Sequence, residues 1–301
     1  MIYKFIMAEK ANYSVSALCR ALQVSRSGFY DWVHRKEKPS RRETANRLIS
    51  NLLRRLQKKH RGWYGSRRMI RGLAEEYGIQ AGRNRVRRLM RESGTQPRRR
   101  RAFRKTTNSN HKWPVAPDPL RRNFVVDAPN KVWMGDITYV KTQEGWLYLA
   151  VILDLFSRRV VGWSMSSSLE RRICLDALDM AIRQRQPEPG LIHHSDRGCQ
   201  YASHDYREKL SEHKILSSMS RNTRKRVPDC WDNAVVESFF GTLKSEAFFN
   251  KTHGNREEAT MAIFEYIEVY YNRQRQHSAV GYQTPEESEQ LYYQLPCTKV
   301  S

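Results

Sequence analysis

Three acidic residues far apart in the chain, Asp136 in WMGDITYV, Asp196 in LIHHSDRGCQY and Glu237 in DCWDNAVVESFFGTLKSE, have the types and settings of a divalent-metal cage. The first lies in an apolar, β-prone stretch, the second at the end of a short one, and the third inside a helix-period run. Cutting or joining a phosphodiester needs in-line attack on phosphorus, with negative charge building on the entering, leaving and non-bridging oxygens. Two divalent ions about 3.5–4 Å apart neutralise that charge. Mg²⁺ prefers oxygen ligands and commonly takes one or two carboxylates, with water and substrate phosphate completing its shell. Three carboxylates, one shared between the ions, therefore suffice. The expectation is that Asp136, Asp196 and Glu237 are both catalytic and metal-binding, with two Mg²⁺ per site and Mn²⁺ able to substitute. Ionised acids so close repel one another, so the site should be strained or partly protonated without metal.

Each acid also has a plainer reading. Asp136 could be an edge-strand residue, Asp196 a turn former before Arg197 and Gly198, and Glu237 an exposed helix charge. Taken together those readings lose force. Glu237 borders the apolar stripe Val236, Phe239, Phe240 and Leu243, and Lys244 lies two turns beyond it, where a cation can meet DNA phosphate near the metals. Asp154 interrupts an apolar strand and reads as structural or as a support to the site. Asp232 and Asn233 read as helix caps. His193 and His194, followed by Cys199 and Cys230, fit no ordinary zinc spacing, and alternation along a strand sends the two imidazoles to opposite faces. Ser195 has no nucleophile elbow or paired base. No phosphate-cradling glycine loop is present, which argues against an NTP-driven enzyme.

The elements that must position the acids are short. KVWMGDITYVKT, WLYLAVILDLFSRRVVGWSMS and GLIHHSD are rich in Val, Ile, Tyr, Trp and Leu, with Gln143, Glu144 and Gly145 forming a turn after the first. Leu169 to Arg185 carries Ile173, Ala177, Met180 and Ala181 at helical spacing. The order is β-β-β-α-β, a helix near Ser203 to His213, a strand at Ile215 to Met219, and the helix bearing Glu237. Such mixed α/β order suits a ribonuclease H-like core, in which acids collect at strand ends and on one helix.

The charge is strongly partitioned. Residues 1–105 hold 29 of the 54 Lys and Arg against 7 of the 31 Asp and Glu, an excess of 22 that is nearly the whole net charge of +23. A polyanion-binding module joined to a near-neutral globule has this footprint. Residues 13 to 34, with Val15, Leu18, Leu22 and Val24 before a Ser-rich break, resemble a helix-turn-helix unit. A second helical unit runs from about Thr44 to Gly94, with Leu48, Leu52 and Leu56 at i, i+4 spacing. Its last helix, Ala81 to Met90, alternates arginines with Val86, Leu89 and Met90. Like charges at i, i+4 destabilise a helix unless they are neutralised, and phosphate does so while releasing counterions. Arg83, Arg87, Arg88 and Arg91 are the expected DNA contacts here. Arg98, Arg99, Arg100 and Arg101, in PRRRRAFRK, form a basic arm suited to phosphate contact.

Five scattered cysteines without a C-x-x-C pair suggest a reducing compartment. MIYKFIMAEK is too short for a signal peptide. The longest apolar run, Trp146 to Leu153, stops well short of the ~20 residues that span a bilayer. Cytoplasmic location, with no membrane partner, is the expectation.

With these motifs assembled the chain resembles an OrfB-type DDE transposase of the IS-three family of bacterial insertion sequences. SVSALCRALQVSRSGFYDW, WYGSRRMIRGL, NKVWMGDITYV, YLAVILDLFSRRVVGW, HHSDRGCQYAS, DCWDNAVVESFFGTLKSE and YNRQRQHSAVGYQTPEE carry the resemblance, in order, over nearly the whole length. The resemblance implies a retroviral-integrase-type catalytic core with Asp136, Asp196 and Glu237 as its triad. It also implies Mg²⁺-dependent cleavage and strand transfer at element ends, by water or a 3′ hydroxyl. The implied partners are double-stranded DNA (element ends and target), further copies of the chain on DNA, and an upstream-frame product or fusion partner of the same element; the implied location is the bacterial nucleoid. Forty residues separate Asp196 from Glu237, more than the family commonly has, and the surplus falls in a basic stretch around Asn222 to Pro228. The integrase-type zinc module has no counterpart, so zinc is not carried over. The expected segments are helix-turn-helix-like at 1–40, a second helical DNA-binding module at 41–96, a basic linker at 97–123, the catalytic core at 124–250, and a C-terminal helix and tail at 251–301. The competing functions are a non-catalytic DNA-binding regulator and a ribonuclease H-like nuclease that prefers hybrid or branched substrates.

Overall fold

Polar breaks between apolar periods divide the first third of the chain into six helices: α1 (Ile2–Glu9), α2 (Val15–Ala21), α3 (Arg26–Glu37), α4 (Arg41–Lys59), α5 (Ser66–Tyr77) and α6 (Arg83–Glu92). The computed structural model describes residues 2–37, 40–98, 126–196, 198–220, 233–248 and 254–294, which fall into two units, 1–98 and 99–301. Serine caps begin two of the helices, as their sequence positions suggest: Ser14 accepts the Ala17 N–H at 3.2 Å and Ser40 the Glu43 N–H at 3.1 Å. Helix α5 ends at Gly78, whose φ of +65° is the left-handed cap that glycine adopts without strain.

This unit holds one helix that the sequence reading did not mark, and one reading of it changes. The terminal patch IYKFIMAE is a helix, and its Ile6 is buried against Cys19 and Phe29. Within α4, Leu48 is 53% exposed while Ile49, Leu52, Leu53 and Leu56 are buried. A single i, i+4 row drifts around an α-helix, so the inward stripe takes in Ile49 and Leu53 and leaves Leu48 outside. Val86, Leu89 and Met90 of α6 face the same cluster, as their alternation with arginines predicts.

The second unit is built on five strands, β1 (Val132–Thr142), β2 (Gly145–Asp154), β3 (Val160–Ser166), β4 (Ile192–Ser195) and β5 (Leu216–Met219), in spatial order β3-β2-β1-β4-β5. The first three form an antiparallel meander, and β4 and β5 add parallel to the other edge of β1. Gly145 turns the first hairpin at φ +113°, a backbone conformation open to glycine. Helices α7 (Arg172–Arg185) and α8 (His204–Glu212) lie in sequence on either side of β4. They cover one face of the sheet, with Ile173, Ala177 and Tyr206 packed among Trp133, Ala150 and Ile152. Gly162 permits this: a Cβ there would strike the Ala177 carbonyl of α7.

The opposite face is closed by α9 (Ala234–Glu246), α10 (Arg256–Phe264) and a π-helical continuation of α10 over Glu265–Tyr271. Phe239 and Leu243 join Ile263, Tyr266, Ile267 and Tyr270 in one cluster with Met134, Val151 and Leu153. The C-terminal helical stretch thus packs on the core. Two buried ionic contacts tie it down. Arg275 pairs with Glu246 of α9 at 2.8 and 2.9 Å. Glu289 of α11 (Pro285–Gln294) takes a bidentate Arg185, Arg159 and the Ser157 hydroxyl. Among the described residues, no helix is long and apolar enough to cross a membrane.

Candidate active site

The parallel ladder between β1 and β4 ends at the pair Gly135 and Ser195. Asp136 and Asp196 are the next residue on each side. Adjacent strands lie ~4.8 Å apart, so residues sixty positions apart in sequence stand side by side once the ladder is in register. Asp136 remains partly exposed and accepts the Ile137 N–H at 2.8 Å; Asp196 accepts the Gly198 N–H at 2.8 Å. Any residue but glycine at 198 would bring its Cβ to 2.9 Å from that Asp196 oxygen. The acid-then-glycine order in SDRG thus has a local reason.

Glu237 enters from the opposite layer, on the exposed side of the first turn of α9. Its helix is oriented by Val236, Phe239, Phe240 and Leu243, all buried. Burial first, then the charge of Asp196 and after it that of Glu237, holds the Asp136 carboxyl well above its usual range; the Ile137 N–H and Lys244 act against them. Lys244, two turns on, is half-buried with its ammonium 5.0 Å from the centroid of the Tyr139 ring. Burial lowers its pKa, and Asp136 opposes that fall. The fold therefore brings Asp136, Asp196, Glu237 and Lys244 into one electrostatic neighbourhood.

Three hard carboxylates are the right donor chemistry for Mg²⁺. As they stand, no three His, Cys, Asp or Glu side chains among the described residues are gathered closely enough to hold an ion. The basic surplus around Asn222 to Pro228, which leads into α9, lies outside the described residues, as do Asp232 and Arg197.

Other candidates separate cleanly. Asp154, fully buried, accepts the Asn130 N–H at 2.7 Å, the Ser157 N–H at 3.0 Å and the Ser157 hydroxyl at 3.2 Å, closing the turn between β2 and β3. Its role is structural. Asn233 occupies the position before α9, yet its side chain makes no cap bond, and both polar atoms of its amide are buried without a partner. Side-chain capping by Asn233 is thereby corrected. His193 meets the Tyr206 hydroxyl at 3.1 Å on one face and His194 meets the Ser218 hydroxyl at 2.8 Å. Burial lowers the His193 pKa to about 3, so this histidine is a neutral core group. The Cys174 thiol is buried and pushed far up, first by burial.

In the helical unit, Arg83, Arg87, Arg88 and Arg91 are exposed on α6, while Arg85 turns to Asn46 at 2.8 Å. Arg98 is exposed, and its N–H is bonded to the Gly62 carbonyl. Arg99, Arg100 and Arg101 lie outside the described residues. One neighbour of the site escaped sequence reading: Tyr139, three residues beyond Asp136. The alternation Ile137, Tyr139, Lys141 was the available signal.

A mixed five-stranded sheet with helices on both faces, an aspartate within its central strand and a second just past the neighbouring parallel strand, defines an integrase-type core. Residues 126–225 and 237–291 match two family models described as integrase core domains, and residues 43–103 match an HTH-like domain. An uncharacterized 31 kDa protein of insertion element IS600 from Shigella sonnei is 44% identical over 278 residues, 92% of this chain and 99% of that protein. Transposase InsF for insertion sequence IS3A from Escherichia coli (strain K12) is 38% identical over 289 residues, 96% of this chain and 98% of its own length. The chain belongs to the IS3 family of insertion-sequence transposases. The HTLV-2 integrase catalytic core domain in complex with magnesium aligns over 54% of this chain and 97% of its own, with 20% identity and a TM-score of 0.40, an overlap too loose to add to that assignment.

Proposed function

We propose that this protein cleaves and joins DNA strands at the ends of an insertion sequence, using Asp136, Asp196 and Glu237 to hold two Mg²⁺ ions, with Mn²⁺ able to replace them. The observation that carries the reading is the pairing of Asp136 with Asp196 past the last rung of the β1–β4 ladder, under the added charge of Glu237. Bound there, the ions would neutralise the phosphate and the entering and leaving oxygens of an in-line displacement. Asp136 and Asp196 are fixed by strands and by backbone N–H donors, so they set the site's position. Glu237 sits on a helix and can close on the pair from the other layer. Lys244 offers an ammonium to a phosphate held at the acids. Water or a 3′ hydroxyl attacks phosphorus, and the bond to the leaving oxygen breaks in line.

The exposed arginines of α6, Arg83, Arg87, Arg88 and Arg91, supply duplex contacts, with Arg98 to Arg101 adding phosphate contacts. Joining two ends calls for more than one active site, so the working form is a multimer of this chain on DNA.

The test is strand transfer of labelled element ends, taken from the inverted repeats that flank the gene, with Mg²⁺ or Mn²⁺. Loss of metal ligation forfeits several kcal/mol of charge stabilisation, so Asp136→Asn and Glu237→Gln should each lower the rate by on the order of a thousandfold, with end binding retained. Unchanged rates in both variants would remove the assignment. Tight metal-independent binding with no nicking would favour the regulator, and preference for hybrid or branched substrates the nuclease.

A further inference from the structure

Beyond the last rung shared with β4, β1 continues for seven residues as one arm of the β1–β2 hairpin. On one face of that arm the register sets Tyr139 opposite Tyr148 and Lys141 opposite Trp146. The three rings form a continuous cluster: Tyr139 and Trp146 meet edge-to-face with centroids 4.9 Å apart, and Tyr139 and Tyr148 lie at 6.5 Å. Trp146 is 44% exposed, an uncommon position for indole.

Cations surround the cluster. Lys244 lies 5.0 Å from the Tyr139 centroid and its charge is felt at Asp136, so it stands between that ring and that acid. Lys141 is exposed on the same face. Arg256 of α10 donates its Nε–H to the Trp146 carbonyl at 3.2 Å. The one acid at the hairpin tip, Glu144, is engaged by the Arg256 backbone N–H at 3.0 Å. Exposed aromatic faces bordered by cations are the chemistry by which proteins hold unpaired nucleic-acid bases: the rings stack the bases and the cations track the phosphates. A purely structural cross-strand aromatic pair needs neither a half-exposed indole nor a lysine shared with the carboxylates.

We propose that Trp146, with Tyr139 and Tyr148, forms a stacking platform for an unpaired nucleobase of the DNA strand held at Asp136 and Asp196. The inference rests on the DNA-strand reading of the carboxylate site. Tyr139 is three residues along β1 from Asp136, on the order of 10 Å at about 3.3 Å per residue; alternation starts the two side chains on opposite faces of the strand, and Lys244, 5.0 Å from the Tyr139 ring and felt at Asp136, links them. That distance along β1 corresponds to a few nucleotides at about 3.4 Å each, so the stacked base is one near the reacting phosphate rather than the reacting nucleotide itself. Its unpairing would free that phosphate's neighbours from the duplex and let the strand enter the site singly.

Equilibrium binding of the full chain to a duplex carrying the element's terminal repeat, without turnover, tests this directly. Trp146→Ala should weaken binding by about five- to a hundredfold. Trp146→Phe should retain most of the affinity, and Trp146→Leu, which keeps apolar area but no π face, should behave like alanine. Abasic substitutions are then scanned across the nucleotides flanking the cleavage phosphate. One position should weaken binding to the wild type by a similar factor and have no further effect on Trp146→Ala. Equal abasic losses in both proteins, or an affinity indifferent to Trp146, would overturn the platform. Because the assay reads binding alone, intact strand transfer alongside absent coupling removes only the platform. Coupling without strand transfer removes only the catalytic reading.

Discussion

At the scale of single residues, the site is defined by charges that oppose one another. Asp136 carries a raised pKa because burial, Asp196 and Glu237 all disfavour its anion. The linkage has a definite sign. Below the ordinary carboxylate range both folded and unfolded chains hold the proton and no penalty exists; as pH rises through the raised folded value, the folded state loses stability relative to the unfolded one. The metal-free protein is therefore expected to become less stable toward neutral pH through this group. Asp136→Asn removes the penalty, so at pH 7 the metal-free variant should melt higher than the wild type, by about 2–4 °C for each kcal/mol relieved. Added Mg²⁺ should raise the wild-type melting temperature and leave the variant nearly unmoved. Calorimetry of both proteins with and without metal checks this, and a variant that melts lower without metal would contradict the crowding of charge. Residue types alone singled out Asp136 and Asp196. Tyr139 and the idle amide of Asn233 did not stand out, because neither ring contacts nor unmet hydrogen bonds are written in residue type.

At the scale of elements, α9 matters most, since it carries Glu237 at one end and Glu246 at the other. Glu246 and Arg275 are both almost fully buried and bonded twice. Removing one partner of such a pair leaves a charge in an apolar surrounding, at a cost of about 3–5 kcal/mol. Arg275→Met should lower stability by that amount in urea denaturation, whereas replacing both Glu246 and Arg275 with apolar residues should recover most of it. The pair's partners are 29 positions apart, and nothing in either sequence stretch marks the other. Helix α6 shows the reverse case. Its alternation of arginine with Val86, Leu89 and Met90 made the buried face legible, and the exposed face follows from it. Substituting Arg87 with alanine should leave helix content intact and reduce the slope of log affinity against log salt by about 1, measured by DNA titration at several salt concentrations.

At the scale of the whole molecule, charge and core are divided along the same line. Apolar clusters of the helical unit, around Ile6 and around Leu53, contain only residues before Arg98, and the two clusters that sandwich the sheet contain only residues after it. A fragment of residues 1–98 should therefore fold by itself and bind duplex DNA with steep salt dependence. A fragment of residues 126–301 should keep its sheet and melt in a separate transition. Calorimetry and circular dichroism of each fragment would register it; a fragment 126–301 that is unfolded in isolation would show that the core needs the helical unit.

The amino-acid sequence by itself determined the order of elements, the basic first third and the family, because periodicity, charge and contiguous motifs are local properties that survive without a fold. The strand through Asp136, the short strand ending before Asp196 and the amphipathic run through Glu237 were each readable for that reason. Tertiary structure alone decided that Asp136 on β1 and Asp196 just past β4 stand side by side one residue beyond a shared rung, that the C-terminal helix closes the sheet beside α9, and that Tyr139 meets both Trp146 and Lys244. These are consequences of register and layer packing, in which residues distant along the chain are brought together by the burial of apolar faces.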